Sequence, residues 1–315
     1  MLEYIFGRLV QMIFVLFIIS FVVFVLLRLI PGDSATSQLG LEAGDQAYKE
    51  LRIEMGLEDP LYIQYLTWFR NVIKGELGVS WSSKKSASEL IKRRLPATIS
   101  LTVMAILIAL MISIPIGVYS GIRPNSIIAH FATFFSMVGI ALPSFWLGLM
   151  LILIFSVKYK IFPPSGYESL FVNPLNGLKH LILPSFTLGF EIAAPLTRFI
   201  RSAMIEVMKE DYIRTARSKG LLEYIVISRH AIKNSMISVI TVFGMFVGYL
   251  LSGSIITESV FNYPGIGTLL IQSINQRDYG IIQGIILLVS MVFMIVNLII
   301  DISYAYIDPR IRYKK

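Results

Sequence analysis

The chain has 315 residues, of which 55% are hydrophobic and 15% charged, whereas a soluble globular domain carries about 25% charged residues. That balance belongs to a membrane protein, and the formal net charge of +8 reads as loops facing anionic lipid rather than as a nucleic-acid surface. The absence of cysteine excludes disulfides, thiolate metal sites and cysteine catalysis, and His130, His180 and His230 are too scattered for an imidazole metal site.

Apolar runs near the roughly 20 residues that cross a bilayer fall at Val10–Ile30, Ala97–Tyr119, Phe131–Val157, Leu178–Ile200, Met236–Ile256 and Ile281–Tyr304. The expectation is an all-α membrane protein with six transmembrane helices. The first run is too long for a signal peptide and no small-residue cleavage site follows it. Pro31-Gly32-Asp33 stops it.

Residues 34–95 form a long non-membrane segment in which acidic and basic residues nearly balance. Leu61, Tyr65 and Trp68 stand at i, i+4 and i+7, one helix face. Tyr and Trp favour the membrane boundary, so a surface-lying amphipathic helix and a small packed cap both fit. Setting that long segment aside, the lysines and arginines divide fourteen to four in favour of both termini being cytoplasmic. Lys92, Arg93 and Arg94, beside the second span, count against it.

The other long polar stretch is a charged island running from Arg198 to Lys233 between the fourth and fifth spans. Ser202–Ser218 lacks helix breakers, with Met204, Val207, Met208 and Asp211–Tyr212 making one face partly apolar. Gly220 permits the left-handed turn that ends helices, and Leu221–Ile232 can start a second helix back to the membrane. Ala216 and Gly220, four apart, would admit another backbone. A docking elbow and a solvated charged helix with an ordinary glycine cap are the two readings. There is no G-x-x-x-x-G-K-[ST] loop, so energy for uphill work would have to come from a partner.

Asp211-Tyr-Ile-Arg-Thr-Ala-Arg-Ser-Lys-Gly220, followed by Arg229-His-Ala-Ile-Lys-Asn234, resembles the cytoplasmic EAA loop of permease subunits in binding-protein-dependent ABC importers. More narrowly, it resembles the first permease subunit of the dipeptide/oligopeptide/nickel branch. Leu142-Pro-Ser-Phe-Trp-Leu-Gly148, Pro163–Gly166, Val260-Phe-Asn-Tyr-Pro-Gly-Ile-Gly267, Arg277-Asp-Tyr279 and Asn297…Asp301…Tyr304…Asp308-Pro-Arg-Ile-Arg312 extend the resemblance over nearly the whole chain. It implies the ABC type-1 importer permease fold, with an N-terminal span at 1–33, an extracytoplasmic segment at 34–95, a transport core at 96–305 containing a coupling loop at 199–235, and a cytoplasmic tail at 306–315. Arg214, Thr215 and Ala216 occupy the Glu-Ala-Ala positions, and Gly220 is the loop glycine. With Glu210, Asp211 and Arg217 these residues are expected to couple to an ATPase. Ser238 and Gly280 stand where proline is usual, which leaves the approach angle of the fifth span open.

The resemblance further implies a paralogous permease subunit as heterodimer partner, two cytoplasmic ATPase subunits carrying ATP-Mg, and an extracytoplasmic solute-binding protein. No cofactor is expected on this chain, and no metal or catalytic residue. Glu191 lies inside the fourth span near Pro195; it either faces the translocation path, reading a peptide amino group, or pairs with a neighbouring helix or with Arg198. Asn297 and Asp301, four apart on one face of the last span, either pack helices or meet substrate. Gly244, Gly248 and Gly253 suit close helix approach. Tyr263, Pro264, Gly265 and Gly267 are expected at the outer mouth or in a plain connecting turn, with a short helix over Thr268–Gln276.

The resulting expectation is a permease subunit of the bacterial cell membrane that imports di- and oligopeptides by alternating access, driven by ATP hydrolysis elsewhere. Import of nickel or a nickel chelate is the alternative within the branch. An intramembrane enzyme is the alternative outside it, and would need paired acidic or Ser/His groups at one depth.

Overall fold

The computed structural model describes residues 2–30, 32–39 and 44–307. Pro31, Asp308-Pro-Arg-Ile-Arg312 and the tail from Arg310 lie outside the described residues, as do the surroundings of Ser238, Gly253 and Tyr304. Among the described residues the architecture is all-α, with no strand beyond one isolated bridge between Val79 and Ser86. The chain divides into two units, with boundaries at Thr98/Ile99, Tyr263/Pro264 and Met294/Ile295.

The first unit holds α1 (Leu2–Leu29), α2 (Ser34–Leu39), α3 (Asp45–Glu54), α4 (Leu61–Ile73) and the opening turns of α5 (Ala87–Ile122). Its core joins Ala87 and Ile91 of α5 to Ile266, Leu269, Ile281 and Ile285 from the later part of the chain. The packed-cap reading of the 34–95 segment fits the contacts of α4. Tyr65 is buried on α1, its ring 5.2 Å from Phe24 and 5.5 Å from Phe21, and its hydroxyl is 2.9 Å from Ser20 Oγ. Trp68 also faces Phe24, but Leu61, on the helix's first turn, stays exposed. A second apolar stripe of Tyr62, Leu66 and Ile73 is exposed too.

Asp33 anchors the start of this cap. Its carboxylate accepts from Thr36 N–H and Oγ1, from the Tyr48 hydroxyl and from Arg52. Burial alone would raise its pKa, but these donors and the Arg52 charge hold it below the usual carboxylate range. Gly280 is explained by the same unit: a Cβ there would sit 2.6 Å from the Val79 carbonyl, so neither proline nor any other side chain fits.

The second unit contains α5 from Ile99, then α6 (Ile127–Ala141), α7 (Ser144–Leu151) with a π-helical continuation (Ile152–Lys158), and α8 (Pro174–Val207). It continues through α9 (Asp211–Ser218), α10 (Glu223–Ile225) and a π-helical stretch (Val226–Ile232) into α11 (Lys233–Val260). α12 (Ile266–Asn275) and the start of α13 (Tyr279–Ile307) belong to the first unit, and α13 from Ile295 to the second. α8 is the hub, packing against α6, α7 and α11 with Leu188, Ala193, Ala194, Leu196 and Ile200 fully buried.

Among the described residues three helices, Phe6–Leu29, Ala87–Ile122 and Tyr279–Ile302, are long and apolar enough to cross a membrane, or up to five spans if two bent pairs each count as one. The expected third span is one such pair, broken by 101° between Ala141 and Ser144. Pro143 supplies the reason, since a residue before proline avoids the helical region, and Leu142 has ψ 121°. The expected fourth span falls in α8, which has the length but is too polar for the same test, with Lys179, His180, Glu191, Arg198 and Arg201 along it. Enclosure by three neighbouring helices removes the need for an apolar surface all round.

Candidate functional site: the elbow and the polar positions of the helices

The island is not one helix from Ser202 to Ser218: α8 ends at Val207 and α9 starts at Asp211. Met204 and Ile213 are both fully buried. Nine residues apart, at about 100° each, they would point to opposite sides of an unbroken helix. The turn at Met208–Glu210 brings both inward. At the other end of α9, Gly220 has φ +76°. Its N–H donates to the Arg217 carbonyl at 2.9 Å, and Leu221 N–H to the Ala216 carbonyl at 3.4 Å, which is the Schellman pair of a helix end closed by a left-handed residue.

A second clamp crosses the same turn. Arg217 donates from both Nη2 and Nε to Glu223, at 2.6 and 3.1 Å. That bond, in spite of slight burial, keeps the Glu223 carboxyl below its usual range and the Arg217 guanidinium above it. Asn234 Nδ2 donates to the Tyr212 hydroxyl at 3.1 Å, tying α9 to the start of α11, while Val226 and Ala231 are fully buried beneath. The elbow is thus a folded piece continuous with α8 and α11.

Of the expected coupling residues, Glu210, Asp211, Arg214, Thr215, Arg217 and Gly220 are exposed, whereas Ala216 is buried and anchors α9. Sequence reasoning missed Leu222 and Tyr224, which are 72% and 79% exposed on the same elbow. Their signal was large apolar side chains within a charged stretch that no membrane run claims.

Glu191 accepts a 2.8 Å hydrogen bond from the Tyr249 hydroxyl of α11, so its recorded partner is the neighbouring helix and not Arg198. Pro195, inside α8, lacks the N–H that would bond the Glu191 carbonyl four residues back. Side chain and freed carbonyl together make one polar spot on α8. Arg198 instead lines a cavity of about 480 Å³ between α6 and α8, with Arg201, Thr133 and Ser136. Asn297 and Asp301 sit half-buried on α13, and close packing of this face with α11 is set by Gly244, against which Ile300 lies.

At the expected mouth, Tyr263 is 1% exposed, its hydroxyl 3.1 Å from Ser100 Oγ and its ring edge-on to Tyr167 at 5.2 Å. Burial pushes its phenol above the ordinary range. Gly265 and Gly267 are buried and Pro264 half-buried at the start of α12. Ile266 N–H donates to Thr98 Oγ1 at 2.8 Å. The short helix expected at 268–276 is α12. Glu258 and Asp278, at 0% and 2% exposure, were not singled out from the sequence; Asp278 accepts from Ser80 at 2.6 Å and Ser82 at 3.1 Å.

Helices long and apolar enough to cross a membrane, together with a braced elbow joining α8 to α11, define a multi-pass membrane protein. The family comparison fits that class. Residues 113–313 match the model described as "Binding-protein-dependent transport system inner membrane component". Residues 1–102 match "Binding-prot-dependent transport system membrane comp, N-term". The chain belongs to this family and is a permease component of an ABC importer of the peptide/nickel branch. It is 42% identical over 317 residues to the oligopeptide transport system permease protein AppB of Bacillus subtilis, covering 99% of this chain and 100% of the relative. It is 39% identical over 314 residues to the glutathione transport system permease protein GsiC of Escherichia coli K12, covering 100% of both. A crystal structure of an amino acid ABC transporter with histidines shares the fold, with TM-score 0.52, 18% identity, and coverage of 70% of this chain and 94% of that one.

Proposed function

We propose that this chain is one half of a heterodimeric pore that imports di- and oligopeptides by alternating access, powered by two cytoplasmic ATPase subunits that bind ATP-Mg. The observation that carries the reading is the elbow: a helix closed by a Schellman turn, clamped by Arg217–Glu223 and continuous with two helices of the bundle. Glu210, Asp211, Arg214, Thr215 and Arg217, with Leu222 and Tyr224, form the surface offered to an ATPase. Both termini are then cytoplasmic, the chain sits in the bacterial cell membrane, and a solute-binding protein docks on the opposite side near Tyr263, Pro264, Gly265 and Gly267. ATP binding favours the outward-open state by contacting the elbow differently in the two states, as any ligand-driven shift requires. The polar spot of Glu191, together with Asn297 and Asp301, is assigned to the path.

Peptide is preferred as substrate because both relatives at about 40% identity carry names that specify peptide or glutathione transport. The test is uptake of labelled di- and tripeptides, glutathione and nickel in cells with and without this chain. Peptide uptake that disappears with the chain supports the proposal; nickel uptake alone disappearing would replace it with the metal reading.

A further inference from the structure

Arg28 is half-buried on α1 and its charge is met by neutral groups. Its Nε donates to Gln64 Oε1 at 2.9 Å and its Nη1 to the Phe24 carbonyl at 3.3 Å, and its guanidinium carbon lies 3.4 Å from the centre of the Phe24 ring. The side chain is therefore folded back a full turn along α1 instead of reaching outward. No carboxylate pairs with it among the described residues; Asp59, on the same pocket lining, is exposed and makes no ion pair with it. A half-buried cation beside a membrane helix is costly unless an anion meets it.

The pocket that Arg28 lines, about 290 Å³, is also lined by two residues whose N–H donors have no acceptor. Gln283 is 2% exposed and its Nε2 has no partner. The Trp68 indole Nε1 is buried and unpartnered as well. A cation and two buried N–H groups on one cavity are complementary to a small anionic group with several oxygens.

The same three elements, α1, α4 and α13, also form an apolar groove of about 770 Å³, lined by Ile13, Phe14, Phe17, Val72, Leu287 and Met291 among others. Its α1 wall runs from Val10 to Ser20. At about 1.5 Å per residue that is about 15 Å, the hydrocarbon depth of one leaflet. Phe24, where the Arg28 guanidinium rests, lies one turn beyond Ser20 towards the C-terminal end of α1, and on α13 Gln283 lies one turn before Leu287. The donor pocket therefore sits one helical turn, about 6 Å, past the groove's end, where a headgroup follows its chains.

We propose that groove and pocket are one site holding a phospholipid, with an acyl chain against α1, α4 and α13 and the phosphate at Arg28, Trp68 and Gln283. The charge complementarity selects a phospholipid over an apolar helix of another subunit, which would leave the Trp68 and Gln283 N–H groups unmet and the Arg28 charge without a counter-ion.

The test uses the full assembly, reconstituted in nanodiscs of palmitoyl-oleoyl phosphatidylglycerol, washed in detergent and weighed by native mass spectrometry. One phosphatidylglycerol per copy of this chain should remain. Arg28→Met should cut retention about tenfold, the loss of a charge-assisted bond. Because Arg28→Met also releases Gln64, Trp68→Phe serves as the second variant; it keeps an aromatic ring on Phe24, removes the N–H together with part of the indole, leaves Arg28 and Gln64 paired, and should cost about fivefold. Met291→Trp, which fills the groove, should displace the lipid with the pocket intact, and millimolar inorganic phosphate should not. Retention unchanged in all three variants overturns the proposal, as does displacement by inorganic phosphate alone. So does efficient cross-linking of Ile13→Cys, a unique cysteine in this chain, to a partner permease at the groove.

Discussion

Substituting Gly220 separates the elbow's backbone from its surroundings. The residue holds φ +76°, and a Cβ built there meets nothing within 4 Å, so the cost of a side chain is purely conformational. An L-residue in the left-handed region costs roughly 1–2 kcal/mol, which is about a five- to thirtyfold shift in the population of the closed turn. Asn tolerates that region best and a β-branched residue worst, so the order of damage should be Gly220→Asn, then Gly220→Ala, then Gly220→Val. The assay is ATP hydrolysis by the complete assembly in proteoliposomes, with and without loaded binding protein, alongside peptide uptake and a size-exclusion check of assembly. Stimulation should fall in that order while the assembly stays intact. Equal loss in all three variants would show that the surface at 220, and not the turn, matters. No loss in Gly220→Val would refute a rigid elbow as the element that transmits work.

Glu191→Gln keeps an acceptor for the Tyr249 hydroxyl but removes the charge, whereas Tyr249→Phe removes the bond and keeps the charge; if Glu191 reads a peptide amino group, only the first should raise KM for uptake, and unchanged KM sinks that role. Asp33 is depressed by its donors, so its contribution to the cap is complete above the ordinary carboxylate range and is lost as pH falls through its lowered value. Amide protection factors in α2 and α3, taken relative to the intrinsic exchange rate at each pH, should fall in acid, and Asp33→Asn should show that loss of protection already at neutral pH. Gly280→Ala forces a methyl against the Val79 carbonyl and should destabilise the first unit by about 1–3 kcal/mol, the range for overpacking, read as a lower detergent melting temperature. The exposed Arg217–Glu223 clamp is a surface pair, so Glu223→Gln should alter the salt dependence of ATPase coupling far more than stability.

Hydropathy located the membrane helices and the glycine located the end of α9, because both depend on properties that act locally. The breaks were harder. Pro143 was visible in the third apolar run, yet the run's uniform hydrophobicity outweighed it in the reading, and the chain bends there by 101°. The turn at Met208–Glu210 carries no glycine or proline; only the burial of both Met204 and Ile213 forces it, and that is a tertiary demand. Glu258, Asp278 and Gln283 carry no local signal of burial, yet packing has buried all three. Leu222 and Tyr224, on either side of the charged Glu223, are exposed because no apolar element among the described residues packs on them.

On the proposed reading, stiffness and compliance are placed where a lever needs them. The elbow is locked by two backbone bonds and a two-point ion pair across Gly220. On one side α8 contains Pro184 and Pro195, each removing a backbone bond from the helix ladder. On the other, the chain enters α11 through seven π-helical residues, Val226–Ile232, a winding that is rare and found mostly at functional sites. Push on the elbow and it has little room to deform internally. The displacement then appears at Pro195 and in the π-helical stretch, and Pro195 is the residue that frees the Glu191 carbonyl. A polar spot that lies beside Pro195 on α8, bonded through Tyr249 to the helix on the other side of the elbow, changes its geometry whenever the two helices move unequally. That is the property a substrate gate requires, and it follows from the placement of two prolines and one tyrosine.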